Sequence, residues 1–221
     1  MSVILTVNAF YENRAERLIE GLKNVDPGCP YKLYVVHNCL PTVHQNPEPE
    51  GDLEYDLWKI RRLWHRSGLD FTYVARENTG CDVGAHRHTW LNHKEDDYKM
   101  MFFCGDGAVF NKDGWLKAHL DAYEDPTIAL TSPEVCHAHG APWCVRTSFF
   151  SMSKEFAMKL DWPEPITKKQ TNEQEMTLFW PQAHALGLKA RQVGAPGEWM
   201  NTVTDSGAKQ SWAVRDEDFS V

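Results

Sequence analysis

The first hundred residues alternate short apolar runs with segments of helical periodicity, and this alternation constrains the fold more than any other feature. Four runs have the length and composition of buried strands: residues 3–7, 32–37, 70–75 and 98–104. Helices are predicted between them, over residues 14–24, 53–67 and 82–92. Strands and helices that alternate at this spacing form parallel βαβ units. The sequence therefore predicts an α/β fold, a single domain with a central, mostly parallel sheet flanked by helices.

The pattern is less regular after residue 106. Strands are predicted over residues 127–131, 147–152 and 189–194. Helices are predicted over 114–123, over 154–160 with Ser153 as N-cap, and from Asn172 to about 186 with a break near Pro181. Residues 133–143 and 162–170 are predicted to be loops, and residues 195–221 a C-terminal tail.

The charge balance restricts the partners. The chain has 31 acidic and 23 basic residues among 221, a net charge of −8. This argues against a nucleic-acid backbone or an anionic membrane as the partner. A phosphate-bearing small molecule is still compatible, provided that a metal or backbone N–H groups contribute to its binding.

The N-terminus and the cysteines favour a cytosolic protein. Residues 1–7 form too short an apolar start for a signal peptide, and no basic segment precedes them. No apolar run approaches the roughly 18 residues of a membrane span. The six cysteines show no Cys-x-x-Cys spacing, so reduced thiols, a cytosolic location and no membrane span are expected.

Polar residues follow the ends of all four predicted strands. They are Asn8, His37-Asn38, Arg76-Glu77-Asn78 and Asp106. Ligands of parallel α/β sheets bind at the carboxyl ends of the strands, so these side chains are expected to face one crevice. Asp106 stands between Gly105 and Gly107, where backbone can approach a ligand closely and a carboxylate can hold a divalent metal against a phosphate.

Several segments together resemble small glycosyltransferases of the GT-A type, near the family-2 and rhamnan-synthesis-like groups. They are residues 3–8, residues 35–38, Asn78-x-Gly80-x-Asp82-x-Gly84-Ala85, Cys104-Gly105-Asp106 and Glu173-Gln174-Glu175. The resemblance spans roughly residues 3–194. It implies a GT-A domain over residues 1–194, with a nucleotide-binding half at 1–106 and an acceptor-side half at 107–194. It also implies transfer of a sugar from a nucleoside-diphosphate sugar, with UDP expected, to a hydroxyl of a glycan or other acceptor.

The resemblance implies a metal ligand at the end of the fourth strand. In that family an Asp-x-Asp motif stands there, and its last Asp holds Mn²⁺ or Mg²⁺ against the donor diphosphate. Asp106 matches this Asp, whereas Cys104 replaces the first. One carboxylate can suffice, because Mg²⁺ commonly binds through one or two carboxylates plus substrate phosphate. The alternative is that Asp106 only forms a turn between two glycines.

The resemblance also implies a donor site. Thr6, Asn8 and Asn38 would surround the base and ribose, and the segment that includes Asn78 and Asp82 would hold the donor. Arg76 suits bidentate pairing with a phosphate. The alternatives are ordinary Asn turns, an N-cap role for Asp82, and a surface salt bridge from Arg76 to Glu77 or Asp82.

Glu175 aligns with the catalytic base of the family. An inverting transfer needs a carboxylate to take the proton of the acceptor hydroxyl, and Glu173 is the substitute candidate. The alternative is a capping box, Asn172-x-x-Glu175, in which Glu175 only closes the start of a helix.

A loop with Cys136, His137, His139 and Cys144 raises the question of zinc, but the spacing is irregular for a structural site and no second pair follows. The same caution applies to Cys81, His86 and His88. The resemblance instead implies that the loop covers the acceptor pocket. The acceptor-side residues would be His137, His139, Trp143 and Arg146.

Two other functions fit the same scaffold. A non-catalytic module that binds nucleotide sugars or glycans is suggested by the incomplete Asp-x-Asp motif. A nucleotidyltransferase is less favoured, because it usually needs a glycine-rich basic loop after the first strand. Here Ala9-Phe10-Tyr11-Glu12 follows it.

Overall fold

The structure is a computed structural model that describes residues 3–9, 12–40, 53–133, 135–138, 141–145, 148–194, 198 and 200–202. Its main feature is a seven-stranded sheet with the order β10-β6-β9-β4-β1-β2-β3. The elements of the first half are β1 (Val3–Ala9), α1 (Glu12–Asn24), β2 (Tyr31–Leu40), α2 (Leu53–Arg66), β3 (Phe71–Glu77), α3 (Cys81–His93) and β4 (Met100–Cys104). The α/β alternation predicted over this half is confirmed.

The second half completes the sheet and adds two small ones. Its strands are β5 (Ala108–Phe110), β6 (Ile128–Ser132), β7 (Val135–Ala138), β8 (Ala141–Val145), β9 (Phe149–Ser153), β10 (Lys189–Gln192) and β11 (Met200–Thr202). Its helices are α4 (Trp115–Ala122), α5 (Lys154–Lys159), α6 (Lys168–Thr177) and α7 (Phe179–Ala185). Strands β5 and β11 pair antiparallel, as do β7 and β8.

Strand direction in the main sheet agrees with the predicted mostly parallel arrangement. Strands β1 to β4 are parallel to their neighbours within this group, and β10 is parallel to β6. Only β9, inserted between β4 and β6, is antiparallel to the strands beside it. The carboxyl ends of β1 to β4 therefore lie at one edge of the sheet.

The two faces of the sheet carry separate apolar cores, because successive strand residues point to opposite faces. Odd-numbered β1 residues such as Leu5 and Val7 pack with Leu18 of α1 and Trp64 of α2. Ile4, on the other face, belongs to the core formed with α3, α5 and α7. Among the described residues, no helix is long and apolar enough to cross a membrane.

The predicted loop at residues 133–143 is wrong in part. Strands β7 and β8 form an antiparallel pair there, with Val135 opposite Val145. Gly140 and Pro142 interrupt the apolar alternation, so the pairing is not evident until the two segments meet. The predicted tail likewise contains β11, which pairs with β5.

The helix expected from Asn172 begins earlier, at Lys168. Thr167 is its N-cap, and Thr167 and Gln170 form a reciprocal capping box. The helical region breaks at Leu178, three residues before Pro181, so the predicted break near Pro181 is confirmed. Pro181 has no N–H to donate to the carbonyl of Thr177, four residues earlier, and its ring crowds that carbonyl.

Two local features of the helices concern the N-cap of α5 and an exposed Trp on α2. Ser153 is the N-cap of α5, as predicted, and its Oγ accepts from the N–H of Phe156 at 3.2 Å. In α2, Ile60 and Trp64 are buried, whereas Trp58 is 53% exposed. Cζ of Arg62 lies 4.6 Å from the centroid of the Trp58 ring. Stacking with a cation provides an exposed Trp with a partner outside the core.

A buried polar chain joins α4 to the sheet and predicts a pH dependence of stability. Nδ1 of His119 lies 2.6 Å from Oγ1 of Thr131, which lies 2.5 Å from Oγ of Ser151. Burial lowers the pKa of His119 to about 3, well below the ordinary 6.5. Between these values the unfolded chain binds a proton that the folded chain does not. The contribution of neutral His119 to the free energy of unfolding is therefore complete above pH 6.5. It falls as the pH is lowered toward 3, by up to about 1.4 kcal/mol per pH unit.

We expect His119→Asn to lose this contribution. Chemical denaturation at pH 7, 6 and 5 should show that the mutant has a lower free energy of unfolding than the wild type at pH 7. This difference in free energy should narrow as the pH falls. The control is His184→Asn, at an exposed histidine. A gap that stays constant with pH would contradict the assignment.

Candidate functional site at the carboxyl edge of the sheet

The register of the parallel strands brings the predicted site residues to one level. Asn38 of β2 lies opposite Arg76 of β3, and Asn8 of β1 lies opposite Val36 of β2. On the other side, Val7 lies opposite Cys104, two residues before Asp106. The expectation that these strand ends share one edge is confirmed.

Arg76, Asn38 and Asn8 form a continuous hydrogen-bonded chain, which we call the amide relay. Nη1 of Arg76 donates to Oδ1 of Asn38 at 2.7 Å, and Nδ2 of Asn38 donates to Oδ1 of Asn8 at 3.2 Å. Nδ2 of Asn38 also donates to the carbonyl of Cys81 at 2.6 Å. Asn38 is 1% exposed and Asn8 7%. The relay therefore ties the ends of β1, β2 and β3 to the start of α3.

Arg76 also holds the turn that precedes α3. Its Nη2 donates to the carbonyl of Thr79 at 3.0 Å. Burial lowers the pKa of Arg76, and the nearby Glu164 and Glu77 carboxylates raise it. The guanidinium is thus engaged by acceptors of the protein itself. Phosphate binding by Arg76 stays a prediction.

The turn has an unusual backbone that two glycines make possible. Gly80 has φ 73° and Cys81 has φ 50°, a left-handed value that non-glycine residues seldom adopt. A Cβ at Gly80 would lie 2.5 Å from the carbonyl oxygen of Pro165, and one at Gly84 would lie 1.9 Å from that of Thr79. The glycines of this motif allow close backbone contact, including contact with a loop from the second half of the chain.

The N-cap alternative for Asp82 is wrong. Gly80 is the N-cap of α3, and Asp82 lies in the first turn, where its Oδ1 accepts from the N–H of Val83 at 3.0 Å. Asn78, which precedes the turn, is buried. Thr6 is fully buried in mid-strand, and its Oγ1 has no hydrogen-bond partner among the described residues. No contact in the structure tests the donor-binding roles of these residues.

Asp106 occupies the tight turn after β4. The N–H of Ala108 donates to the carbonyl of Gly105 at 3.1 Å, so the turn that the glycines suggested is present. Nη1 of Arg14 in α1 lies 3.2 Å from Oδ1 of Asp106, and the two side chains are 20% and 8% exposed. Arg14 had no sequence signal beyond its place on a predicted helix, and sequence reasoning missed it.

Cys104, where the family has its first Asp, belongs to the apolar core with α1 and α4. Burial, with a smaller effect of Asp106, raises the pKa of its thiol. Cys104 is therefore a core residue, and a cation at this edge would be held by the single carboxylate of Asp106. That donor fits a hard cation whose other ligands are phosphate and water. The described residues include no group of three metal-ligating side chains.

The position of Glu175 removes its main alternative role. The capping box of α6 uses Thr167 and Gln170, so Glu175, in a later turn, does not cap the helix. The side chain of Glu175 lies outside the described residues, and the base role stays a prediction. Glu173 is exposed, with Oε1 3.7 Å from Nζ of Lys169.

The side chains of the predicted acceptor-side residues lie outside the described residues. His137 lies on β7 and Trp143 on β8, but their side chains, and all of His139 and Arg146, lie outside the described residues. Of the other suggested group, His86 is buried against the rings of Phe103 and Phe150, with centroids 5.2 and 6.1 Å away. These contacts give His86 a packing role.

His37 is a second residue whose environment sequence did not predict. Its Nδ1 is hydrogen-bonded to the hydroxyl of Tyr73 on β3. Burial lowers the pKa of His37 to about 4, so the imidazole is neutral at pH 7. This pair lies on the sheet face opposite the amide relay and fixes the same two strands.

Three solved structures share this fold. The mannosyltransferase PcManGT from Pyrobaculum calidifontis, in complex with GDP-Man and Mn²⁺, gives a TM-score of 0.57 at 13% identity, covering 85% of this chain and 53% of that one. Residues 1–349 of S. aureus TarS give 0.50 at 14% identity, covering 83% and 55%. A CMP:2-keto-3-deoxy-manno-octonic acid synthetase complexed with CTP gives 0.50 at 8% identity, covering 86% and 88%.

These likenesses show the fold. The expected GT-A-like α/β fold is confirmed, and this chain spans about half the length of the mannosyltransferase and of the TarS chain. No family model and no curated protein matches the sequence.

Gly84→Ala tests the close contact in the turn before α3. Helix propensity alone would make the alanine more stable by about 0.5–1 kcal/mol. The added Cβ would instead lie 1.9 Å from the Thr79 oxygen, so we expect a loss of about 2–4 kcal/mol in urea denaturation. The control is Gly105→Ala, whose Cβ has its nearest neighbour at 3.4 Å. A stabilised Gly84→Ala protein would disprove the contact.

The Arg14–Asp106 pair should show a measurable coupling. A double-mutant cycle with Arg14→Gln and Asp106→Asn, measured by chemical denaturation, is expected to give a coupling free energy of about 1–2 kcal/mol. The coupling is expected because both side chains are largely buried. The comparison pair is Lys159–Glu155, exposed on α5 with atoms 2.7 Å apart, for which about 0.5 kcal/mol or less is expected. Equal coupling in the two pairs would rule out a special role for the first.

Proposed function

We propose that this protein is a glycosyltransferase that moves a sugar from a nucleoside-diphosphate sugar to an acceptor hydroxyl. The observation that carries the proposal is the shared edge of a GT-A-like sheet at which Asn8, Asn38 and Asp106 meet. Ligands of open α/β sheets bind in the crevice beyond such an edge. The amide relay holds the polar ends of three strands in place at this edge, and Asp106 offers an anionic ligand for a cation.

The donor is proposed to be a UDP-sugar, with its base and ribose near Thr6, Asn8 and Asn38 and its sugar near Asn78 and Asp82. Asp106 would hold Mn²⁺ or Mg²⁺. When bound, the cation neutralises charge on the departing diphosphate. A solved structure with the same fold contains GDP-Man and Mn²⁺, which supports this part of the proposal.

The bond from the sugar's anomeric carbon to the diphosphate oxygen breaks, and a bond from the acceptor oxygen to that carbon forms. In an inverting reaction Glu175 takes the proton of the acceptor hydroxyl; a retaining reaction does not need it as a base. Helix α6, which carries Glu175, is held against the turn before α3: Nε2 of Gln174 donates to the carbonyl of Pro163 at 2.9 Å, and Pro165 lies against Gly80. These contacts support a position of Glu175 near the proposed donor. His137, His139, Trp143 and Arg146 are proposed to contact the acceptor.

The alternative is a module that binds the same ligands without turnover. It is favoured by the replacement of the first motif Asp with the core residue Cys104. Assays of donor hydrolysis and of transfer to several acceptors separate the two functions. A binding module is stabilised by the bound donor but releases no nucleoside diphosphate.

A thermal-shift experiment tests the proposal. UDP with Mn²⁺ is expected to raise the melting temperature by about 5–10 °C at a hundredfold excess over Kd. UDP with EDTA should give a smaller shift, and Asp106→Asn should lose the metal-dependent part, because it removes the anionic ligand of the cation.

The matched control is Asp161→Asn, at an exposed position after α5, which should behave as the wild type. Equal metal-dependent stabilisation of Asp106→Asn and the wild type would disprove the metal site. Absence of stabilisation by any nucleoside diphosphate would disprove the nucleotide-sugar proposal as a whole.

A further inference from the structure

The direction of the amide relay is fixed by chemistry at both ends of Asn38. The guanidinium of Arg76 can only donate hydrogen bonds, so the atom of Asn38 that it meets at 2.7 Å must be Oδ1. The carbonyl of Cys81 can only accept, so the atom of Asn38 that it meets at 2.6 Å must be Nδ2. The orientation of this amide therefore does not depend on telling nitrogen from oxygen by their positions.

This direction passes on to Asn8. Nδ2 of Asn38 is a donor, so it must face the oxygen of the Asn8 amide, 3.2 Å away. The Nδ2 amine of Asn8 is left to point elsewhere, and among the described residues the only side-chain hydrogen bond of Asn8 is the one that its Oδ1 accepts from Asn38. Asn8 stands at the carboxyl end of β1 and keeps 7% of its surface exposed. Asn8 can thus offer a donor, and not an acceptor, to a group that reaches it.

We propose that Asn8 is a specificity residue that selects a nucleobase with a carbonyl at the exocyclic position farthest from the ribose, and that Arg76, through Asn38, is the positioning residue that sets this choice. This inference rests on the proposed function. Uracil has a carbonyl oxygen at its 4-position, whereas cytosine has an amino group there. Against cytosine the Asn8 amine would meet another donor, and leaving a buried donor without an acceptor costs about 1–3 kcal/mol.

The small exposure of Asn8 supports contact through a projecting exocyclic group. A ring edge or a phosphate needs a wide opening, whereas a single carbonyl oxygen is small enough to reach a nearly buried amine. The exocyclic atom opposite the glycosidic bond is the one that projects farthest into a crevice.

The test compares the affinities of UDP and CDP by calorimetry, with Mn²⁺ present. The two nucleotides differ in the base and share the ribose and the diphosphate, so their ratio reports base recognition alone. The wild type is expected to prefer UDP by roughly 5- to 150-fold, which corresponds to the 1–3 kcal/mol cost of an unsatisfied buried donor. Asn8→Asp replaces the donor with an acceptor and should bring the ratio to unity or reverse it.

Three further variants separate positioning from stability. In the Asn38→Asp variant, Asn8 stays in place but receives no hydrogen bond from residue 38. The Asn8 amide then turns its Nδ2 amine toward the new carboxylate and presents its oxygen to the base. The preference should therefore shift toward CDP. Arg76→Lys keeps a donor at the end of the relay and should retain the preference for UDP, whereas Arg76→Gln, which can also accept, should reduce it. A merely structural Arg76 would change the melting temperature of both variants and leave the ratio unchanged.

The matched control is Asn24→Asp, which makes the same charge change at the exposed end of α1 and should keep the wild-type ratio. Equal binding of UDP and CDP by the wild type, or an unchanged ratio in both Asn8→Asp and Asn38→Asp, would overturn the inference while leaving the proposed function intact. If no nucleoside diphosphate binds to the wild type, the proposed function and the inference fail together.

Discussion

The hydrogen bond from Arg76 to Asn38 is the interaction on which the candidate site depends. Withdrawing even part of a guanidinium from water is costly unless acceptors surround it, and Arg76 is partly buried. Here the acceptors are the side-chain oxygen of Asn38 and the carbonyl of Thr79. Because one acceptor comes from a strand and the other from the turn before α3, satisfying the charge also fixes the geometry of both. The edge of the sheet is thereby made rigid before any ligand arrives.

Close backbone contact joins the second half of the chain to this edge. Gly80 leaves room for Pro165, and Gln174 of α6 holds the loop through the carbonyl of Pro163 and the indole of Trp162. Arg87 of α3 donates to the carbonyl of Trp162 at 2.7 Å. The helix that carries Glu175 is therefore built onto the same motif that supports the amide relay. A proposed donor side and acceptor side share one support.

The two cationic side chains at the edge have partners within the protein. Arg14 is paired with Asp106, and Arg76 is held by neutral acceptors. In a chain with a net charge of −8, two cationic side chains with protein partners do not form a basic patch. This agrees with the sequence argument that a phosphate ligand here would need a cation or backbone donors. It also makes hydrogen-bond direction, rather than net charge, the property by which the relay can discriminate ligands.

The sequence by itself determined the α/β class, the order of the main strands and helices, and the edge at which Asn8, Asn38, Arg76 and Asp106 meet. Apolar periodicity is a local property, and the carboxyl ends of parallel strands point to the same edge of a sheet, so both can be inferred from the chain alone. The tertiary structure alone decided the β7–β8 pair, the start of α6 at Lys168, the partner of Asp106 and the direction of the amide relay. Each of these depends on groups that are distant in sequence or on competition between nearby capping residues. Hydrogen-bond direction in particular has no local signature, because an asparagine can donate or accept until a neighbour that can do only one of the two fixes it.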